Sequence, residues 1–144
     1  MRVIFLILIG LSSIANAGNF SRNSGIVSDS ATNLEWQDDY SDNNNSIKQT
    51  TWQSAIDYCE ALTLDSKSDW RLPNLNELTS LVDDTKFDPS INMVFQNTNS
   101  NFYWSSTSYS NYYENAWVVS FYSGHQDDIN KVNDYYVRCV RVGQ

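Results

Sequence analysis

The sequence has little of what metal sites and cysteine chemistry require. It contains one histidine, His125, and two cysteines, Cys59 and Cys139, among 144 residues. A metal site on the two cysteines would need further ligands, and the chain offers one imidazole. In an exported chain, two cysteines favour a single disulfide, with a free reactive thiol or a metal pair as the alternatives.

Basic residues are also scarce. Nine Lys and Arg face 17 Asp and Glu, which gives a formal net charge of −8. An acidic protein repels polyanions, so this balance argues against nucleic acid and against sulfated polysaccharides as partners. No basic patch interleaved with aromatic residues appears. The alternative is a small basic spot at Arg138 and Arg141.

Long apolar runs are missing except at the N-terminus. There, Arg2 precedes an apolar run over residues 3–11, and Ala15-Asn16-Ala17 closes the segment. The run is too short to span a bilayer and has the layout of a secretory signal peptide with its cleavage site. We predict a signal peptide over residues 1–17 and one domain over residues 18–144. That domain would be periplasmic or secreted and not membrane-embedded.

Catalytic residues with a recognisable spacing are missing too. His125 has Asp127 and Asp128 nearby, but neighbouring positions in sequence do not make a catalytic triad. A lone histidine that follows a turn glycine is most often a surface residue. We therefore expect that the protein is not an enzyme.

The most informative stretch covers residues 70–83 and predicts a short strand that turns into a helix. Pro73 cannot extend a central strand, and Asn74 with Glu77 makes a capping box. Arg71 lies just before the turn, where its guanidinium could hold a carboxylate of Glu77 or Asp83 in two-pronged geometry. We predict a structural role for Arg71, with binding of an anionic ligand as the alternative.

The clearest helix is predicted over residues 50–64, where Thr50 and Gln53 make a capping box and Cys59 lies on the apolar stripe. Cys59 then points into the core, so Cys139 must come from a strand packed on that helix. Residues 135–142 are that strand, with Tyr135, Val137 and Cys139 on one face.

Further strands are predicted within residues 25–37, over residues 103–108 and over residues 116–122, the last apolar on both faces as a central strand would be. Early helices and later strands predict an α+β domain. A long connection over residues 84–100 is expected to be pinned to the body by its apolar side chains: Phe87, Ile91, Met93, Val94 and Phe95. The polar loop at residues 38–46 is interpreted as a solvated surface loop, with a calcium site as the alternative.

Several motifs occur together in an order that is typical of one family. Trp-Arg-Leu-Pro-Asn at residues 70–74 is accompanied by matching runs at residues 27–37, 52–62, 103–107, 116–118 and 136–141. Together they resemble the bacterial Lcl C-terminal domain family. The resemblance implies a C-type-lectin-like fold, with two helices packed on a twisted antiparallel sheet, and a binding rather than a catalytic role. Structural roles are assigned to Trp70, Arg71, Pro73, Asn74, Glu77 and Arg138.

The segment at residues 97–115 has the most unusual composition, since it is built from Asn, Ser, Thr and aromatic residues with one charge, Glu114. Tyrosine supplies rigid contact area, and Ser and Asn supply adaptable hydrogen bonds, as in antibody loops. Trp104 and Trp117 are expected in the core, and Tyr109, Tyr112 and Tyr113 on the surface. The predicted ligand-binding set is Tyr109, Asn111, Tyr112, Tyr113 and Asn115. The alternative is that these side chains only decorate an exposed sheet end.

The sequence thus predicts an exported, non-catalytic binding or adhesion domain for a glycan or a surface protein, without a cofactor. The alternative is a structural or assembly module of an envelope complex, and oligomerisation is left open.

Overall fold

The computed structural model describes residues 19–144, so the predicted signal peptide at residues 1–17 lies outside the described residues. Nine strands and two α-helices occur in the described part of the chain. The strands are β1 (Phe20–Asn23), β2 (Ile26–Asp29), β3 (Leu34–Gln37), β4 (Gln49–Thr50), β5 (Phe102–Ser108), β6 (Asn115–Ser120), β7 (Gln126–Asn130), β8 (Tyr135–Tyr136) and β9 (Val140–Val142), and the helices are α1 (Trp52–Ala61) and α2 (Leu75–Thr79).

The strands form two sheets. The first has the order β1-β2-β3-β9 and is antiparallel throughout. The second has the order β4-β8-β5-β6-β7 and is antiparallel except where β5 and β8 run parallel. The predicted α+β class is confirmed, although the strands are divided between two sheets.

The predicted strand over residues 135–142 is the segment that changes sheet. β8 pairs with β4 and β5 in the second sheet, whereas β9 pairs with β3 in the first. Between them, Val137 and Cys139 are buried in the same cluster as Ala55 of α1. A Cys59–Cys139 disulfide joins the crossing to the helix. The predicted bridge, and the packing of the C-terminal segment on the first helix, are confirmed.

Helix α1 is shorter than the predicted helix over residues 50–64. Thr50 pairs with Tyr135 in the sheet, so the helix begins at Trp52, after Thr51 as the N-cap. The side chain of Gln53 donates to Asp57, one turn further on. The predicted Thr50–Gln53 capping box is wrong, because sheet pairing holds Thr50 in an extended conformation.

Helix α2 begins as predicted. The amide N–H of Glu77 donates to Asn74 Oδ1 at 2.8 Å, and the amide of Asn74 donates to Glu77 Oε1 at 2.9 Å, which completes the capping box. The carbonyl of Pro73 accepts a hydrogen bond from the amide of Ser106 at 2.8 Å. This bond fixes the start of the helix against β5.

The β5–β6 pair separates two clusters of buried side chains. Trp104 and Val118 belong to the cluster around the disulfide, whereas Tyr103 and Val119 belong to the cluster around α2 and β3. Neighbouring residues thus face opposite sides, as the two-residue period of a strand requires. The prediction that the strand near residues 116–122 is central and apolar on both faces is confirmed, as is the core position of Trp104.

The connection over residues 84–100 is pinned by fewer apolar side chains than predicted. Ile91 and Phe95 are buried and Val94 is half-buried, but Phe87 and Met93 are exposed. The prediction for Phe87 and Met93 is therefore wrong. Phe87 instead packs edge-on against exposed Tyr122, with ring centroids 4.4 Å apart.

Candidate functional site

The candidate binding surface is the loop between β5 and β6 together with Asn115, the first residue of β6, and we call residues 109–115 the aromatic loop. Its backbone closes on itself through three hydrogen bonds. The amide of Tyr109 donates to the carbonyl of Asn115 at 2.9 Å, that of Tyr112 to Tyr109 at 3.2 Å, and that of Asn115 to Tyr112 at 2.9 Å. The loop is therefore a tight turn with a defined conformation.

Lys131, which follows β7 in the chain, stabilises this turn through hydrogen bonds. Its ammonium group donates to the carbonyl of Tyr113 and to Ser108 Oγ, both at 2.8 Å, and lies 4.0 Å from the ring centroid of Trp52. Its backbone amide donates to the carbonyl of Glu114 at 2.8 Å. A lysine that is stacked on an indole and hydrogen-bonded to a carbonyl restrains the loop at low entropic cost. Sequence analysis missed Lys131 and Trp52, because both are distant in sequence from the loop.

The three tyrosines of the loop differ in exposure. Tyr113 is 78% exposed and Tyr112 is 54% exposed, as predicted. Tyr109 is half-buried and packs edge-on against Trp117, with ring centroids 5.3 Å apart. The predictions of an exposed Tyr109 and of a core Trp117 are therefore wrong: both residues are half-buried because they cover each other.

The two amide side chains also differ. Asn115 Nδ2 donates to Asp128 Oδ2 at 2.8 Å. This hydrogen bond joins the aromatic loop to β7 and occupies the NH₂ group of Asn115. Asn111 is exposed, and its Nδ2 makes only a long bond of 3.4 Å to the hydroxyl of Tyr109. Within the predicted ligand-binding set, Asn111, Tyr112 and Tyr113 have the groups most available to a ligand. Their binding role stays a prediction.

A buried ion-pair network lies at residues 22, 38 and 138. Asp38 Oδ2 accepts from Arg22 Nε at 2.8 Å, and Oδ1 accepts from Arg138 Nη1 at 3.2 Å. The side chains of Asp38 and Arg138 are fully buried. The pairing of Arg138 with buried Asp38 supports the structural role predicted for it. Its guanidinium carbon also lies 4.5 Å from the ring centroid of Phe95.

Burial and ion pairing in this region correct two predictions. The prediction of a solvated loop over residues 38–46 is wrong at its beginning, because Asp38 and Tyr40 are buried, and only the part beyond residue 40 is largely exposed. Arg141 is buried as well and is paired with Asp69 and Glu35. The alternative of a basic spot at Arg138 and Arg141 is therefore wrong, because both guanidinium groups are buried and paired with carboxylates.

Arg71 is paired as predicted. Its Nη1 and Nη2 each donate to one carboxylate oxygen of Glu77 at 2.7 Å. Burial by itself raises the pKa of Glu77, but the hydrogen bonds from Arg71 and from the amide of Asn74 outweigh it and lower the pKa below its usual value. Trp70, next to Arg71, is buried and donates from Nε1 to the carbonyl of Lys67 at 3.0 Å. The predicted capping box and the predicted pairing of Arg71 with Glu77 are therefore confirmed, and the structural roles assigned to this stretch stay a prediction.

We expect Arg71→Ala to destabilise the domain by about 1 kcal/mol at neutral pH, because the Arg71 side chain is 43% exposed and solvent screens the pair. A group with a lowered folded-state pKa stabilises above its unfolded pKa, and this stabilisation is lost as the pH falls through the folded pKa. The difference in melting temperature between wild type and variant should therefore shrink below about pH 4. A difference that is constant from neutral to acidic pH would contradict the role of the ion pair.

Among residues 19–144, no group of three or more His, Cys, Asp and Glu side chains is arranged to hold a metal ion. Asp38, the first acid of the polar loop, is already saturated by two arginines and by the amides of Gln96 and Asn97. Calcium binding by the rest of this loop stays the untested alternative. No helix in the described part of the chain is long and apolar enough to cross a membrane.

The sequence from Gly25 to Arg141 matches the family model of the Lcl C-terminal domain. The chain belongs to this family. The Lcl C-terminal domain begins at the turn before β2 and ends within β9, so it includes the disulfide, both helices and the aromatic loop. No curated protein is significantly similar to the chain. Similarity of this Lcl C-terminal domain to C-type lectins stays a prediction.

Proposed function

We propose that this Lcl C-terminal domain is an exported, non-catalytic binding or adhesion domain that recognises a glycan or a surface protein through the aromatic loop. The observation that carries the proposal is the exposure of Tyr112 and Tyr113 on a turn whose backbone is fixed by Lys131. Exposed aromatic rings give a large contact area, and a turn that is already ordered loses little entropy on binding.

The disulfide supports export. A Cys59–Cys139 bridge is stable in oxidising compartments such as the bacterial periplasm or the extracellular medium, and is rare in the cytosol. The signal peptide proposed for residues 1–17 would deliver the chain to one of these compartments.

The surroundings of the single histidine support a non-catalytic role. Ser123 Oγ lies 2.7 Å from His125 Nδ1, but both residues are exposed in the turn between β6 and β7. Within residues 19–144, no carboxylate hydrogen-bonds to the imidazole. A serine nucleophile activated by histidine normally needs a third group that orients the ring.

Replacing Tyr112 and Tyr113 with alanine should weaken the binding of at least one ligand found in the screen about tenfold or more, because central aromatic anchors dominate binding energy. The melting temperature should change little, because surface substitutions usually alter stability by less than about 0.5 kcal/mol. The measurement is a screen of wild-type protein on a glycan array and against bacterial and host surface proteins, followed by titration of any ligand with the variant.

Tyr122→Ala is the matched control, since Tyr122 is an exposed tyrosine that lies outside the aromatic loop. Equal binding of every ligand found in the screen by the loop variant and wild type would refute the proposed surface. Unfolding of the loop variant would show that the rings stabilise the core instead.

A structural or assembly module is the second candidate function. It is favoured by an exposed apolar area around Phe87, Met93 and Tyr122, beside a groove of about 450 Å³. Such areas often mark contacts between proteins. Sedimentation velocity at several protein concentrations distinguishes the two functions, since an assembly module should show association that depends on concentration.

A further inference from the structure

A concave surface lies near the end of β5 that is opposite the aromatic loop. It is a cleft of about 480 Å³ between the chain around residues 45–49 and the chain around residues 96–99, and we call it the amide cleft. Its lining consists of Asn45, Ser46, Ile47, Gln49, Gln96, Asn97, Thr98, Asn99 and Tyr136. None of these nine residues is charged, although the whole chain is strongly acidic.

One wall of the cleft is built on the buried ion pair. Asp38 accepts hydrogen bonds from the backbone amides of Gln96 at 2.9 Å and Asn97 at 3.1 Å. Arg138 Nη2 donates to the carbonyl of Asn97 at 2.6 Å and to Thr98 Oγ1 at 2.9 Å. Because both charged side chains are fully buried, they hold the backbone of residues 96–98 without presenting charge to the cleft.

The floor of the cleft is ordered as well. Asn99 Nδ2 donates to the hydroxyl of Tyr136 at 3.0 Å, and the amide of Asn99 donates to the hydroxyl of Tyr103 at 2.9 Å. Tyr136 packs against the buried ring of Tyr103, with centroids 5.6 Å apart. The polar groups of the cleft are therefore held in place before any ligand arrives.

Two amide side chains on the rim are left for a ligand. Asn45 and Gln96 are exposed, and neither side-chain amide makes a hydrogen bond to another described residue. Each amide offers a carbonyl acceptor next to an NH₂ donor. Neighbouring hydroxyl groups of a sugar ring donate and accept in the same alternation, so this pair of groups is complementary to a saccharide.

We propose that the amide cleft is a binding site for a neutral saccharide. The absence of charge among its lining residues disfavours sulfated and uronic-acid ligands, which would lose hydration without gaining an ion pair. A peptide is disfavoured because Ile47 is the single aliphatic side chain in the lining, and peptide recognition usually needs several apolar pockets.

This site is separate from the aromatic loop. Tyr136 pairs with Tyr103 near the beginning of β5, whereas the aromatic loop follows Ser108 at its end. A strand rises about 3.3 Å per residue, so the two surfaces lie roughly 20 Å apart. Variants in one should therefore leave the other intact.

The test compares the double variant Asn45→Gly, Gln96→Ala with wild type. Asn45 has φ 58°, so glycine keeps its backbone conformation while removing the amide. The side chain of Gln96 can be shortened without touching the bond from its backbone to Asp38. The probes are neutral hexose and N-acetylhexosamine oligosaccharides, sulfated and uronic-acid oligosaccharides, and a library of neutral peptides, on arrays and then by calorimetric titration.

We expect at least one neutral oligosaccharide to bind wild type, and the cleft variant to bind it about tenfold or more weakly, because two hydrogen-bonding groups are lost. The Tyr112→Ala, Tyr113→Ala variant should bind the same oligosaccharide like wild type. The proposal is overturned if no neutral oligosaccharide binds, if the cleft variant binds as tightly as wild type, or if the loop variant loses the same ligand. Loss of peptide binding alone in the cleft variant would show that the ligand class is wrong.

Discussion

We expect Asp38→Ala to destabilise the domain by roughly 3 to 5 kcal/mol, since it leaves the buried Arg138 guanidinium without its carboxylate. Both side chains are fully buried, so the guanidinium would lose its ionic partner at a position that bulk water does not reach. Asp38 also accepts from Arg22 and from the amides of Gln96 and Asn97. The substitution therefore removes contacts from three segments at once: β1, the end of the 84–100 connection and the crossing between β8 and β9.

Urea unfolding followed by tryptophan fluorescence measures this effect, because the chain has five tryptophans. Lys67→Ala is the matched control. Lys67 Nζ pairs with Asp65 at 3.3 Å, and Asp65 is exposed, so the loss should be below about 0.5 kcal/mol. If Asp38→Ala destabilised no more than Lys67→Ala, the buried network would not be what holds these segments together.

Two kinds of contact were predicted correctly from the sequence. In one kind the interacting residues lie close together in the chain, and in the other only one pairing is possible. Asn74, Glu77 and Arg71 lie within seven residues, so the capping box and the ion pair followed from local chemistry. The disulfide followed because the chain has two cysteines. The exposure of Tyr112 and Tyr113 followed from a polar stretch without the alternation that buries one face of a strand.

The predictions that failed depended on partners far away in sequence. Asp38 looked like part of a solvated loop because its neighbours at residues 39–46 are polar, but its buried partner, Arg138, is 100 residues away. The strand predicted over residues 135–142 is divided in the structure, and the same arginine lies between β8 and β9, where the chain passes from one sheet to the other. Tyr109 and Trp117 cover each other across a hairpin whose register shifts between Trp104 and Ser108. The alternation of residues along one strand does not reveal a shift in its pairing with the neighbouring strand.

Removing the disulfide is the other change for which we expect a large effect. Cys59 and Cys139 are 80 residues apart in sequence, so the bridge restricts a long loop in the unfolded chain. On the chain-entropy model, a loop of this length stabilises the folded state by roughly 4 to 5 kcal/mol. We expect the Cys59→Ala, Cys139→Ala variant to lose about this much stability in urea unfolding, with α1 and the crossing before β9 no longer tied to each other.

The single variants Cys59→Ala and Cys139→Ala separate the covalent bond from the packing of the sulfur atoms. Both sulfurs are buried, so each single variant keeps one sulfur in the core and still lacks the bridge. If the bridge is the main source of stability, each single variant should fall close to the double variant. Thiol titration of denatured wild-type protein without reductant should find no free thiol. Two titratable thiols per chain would show that the bridge does not form in the mature protein, and wild type and double variant should then differ only by the packing of the two sulfur atoms.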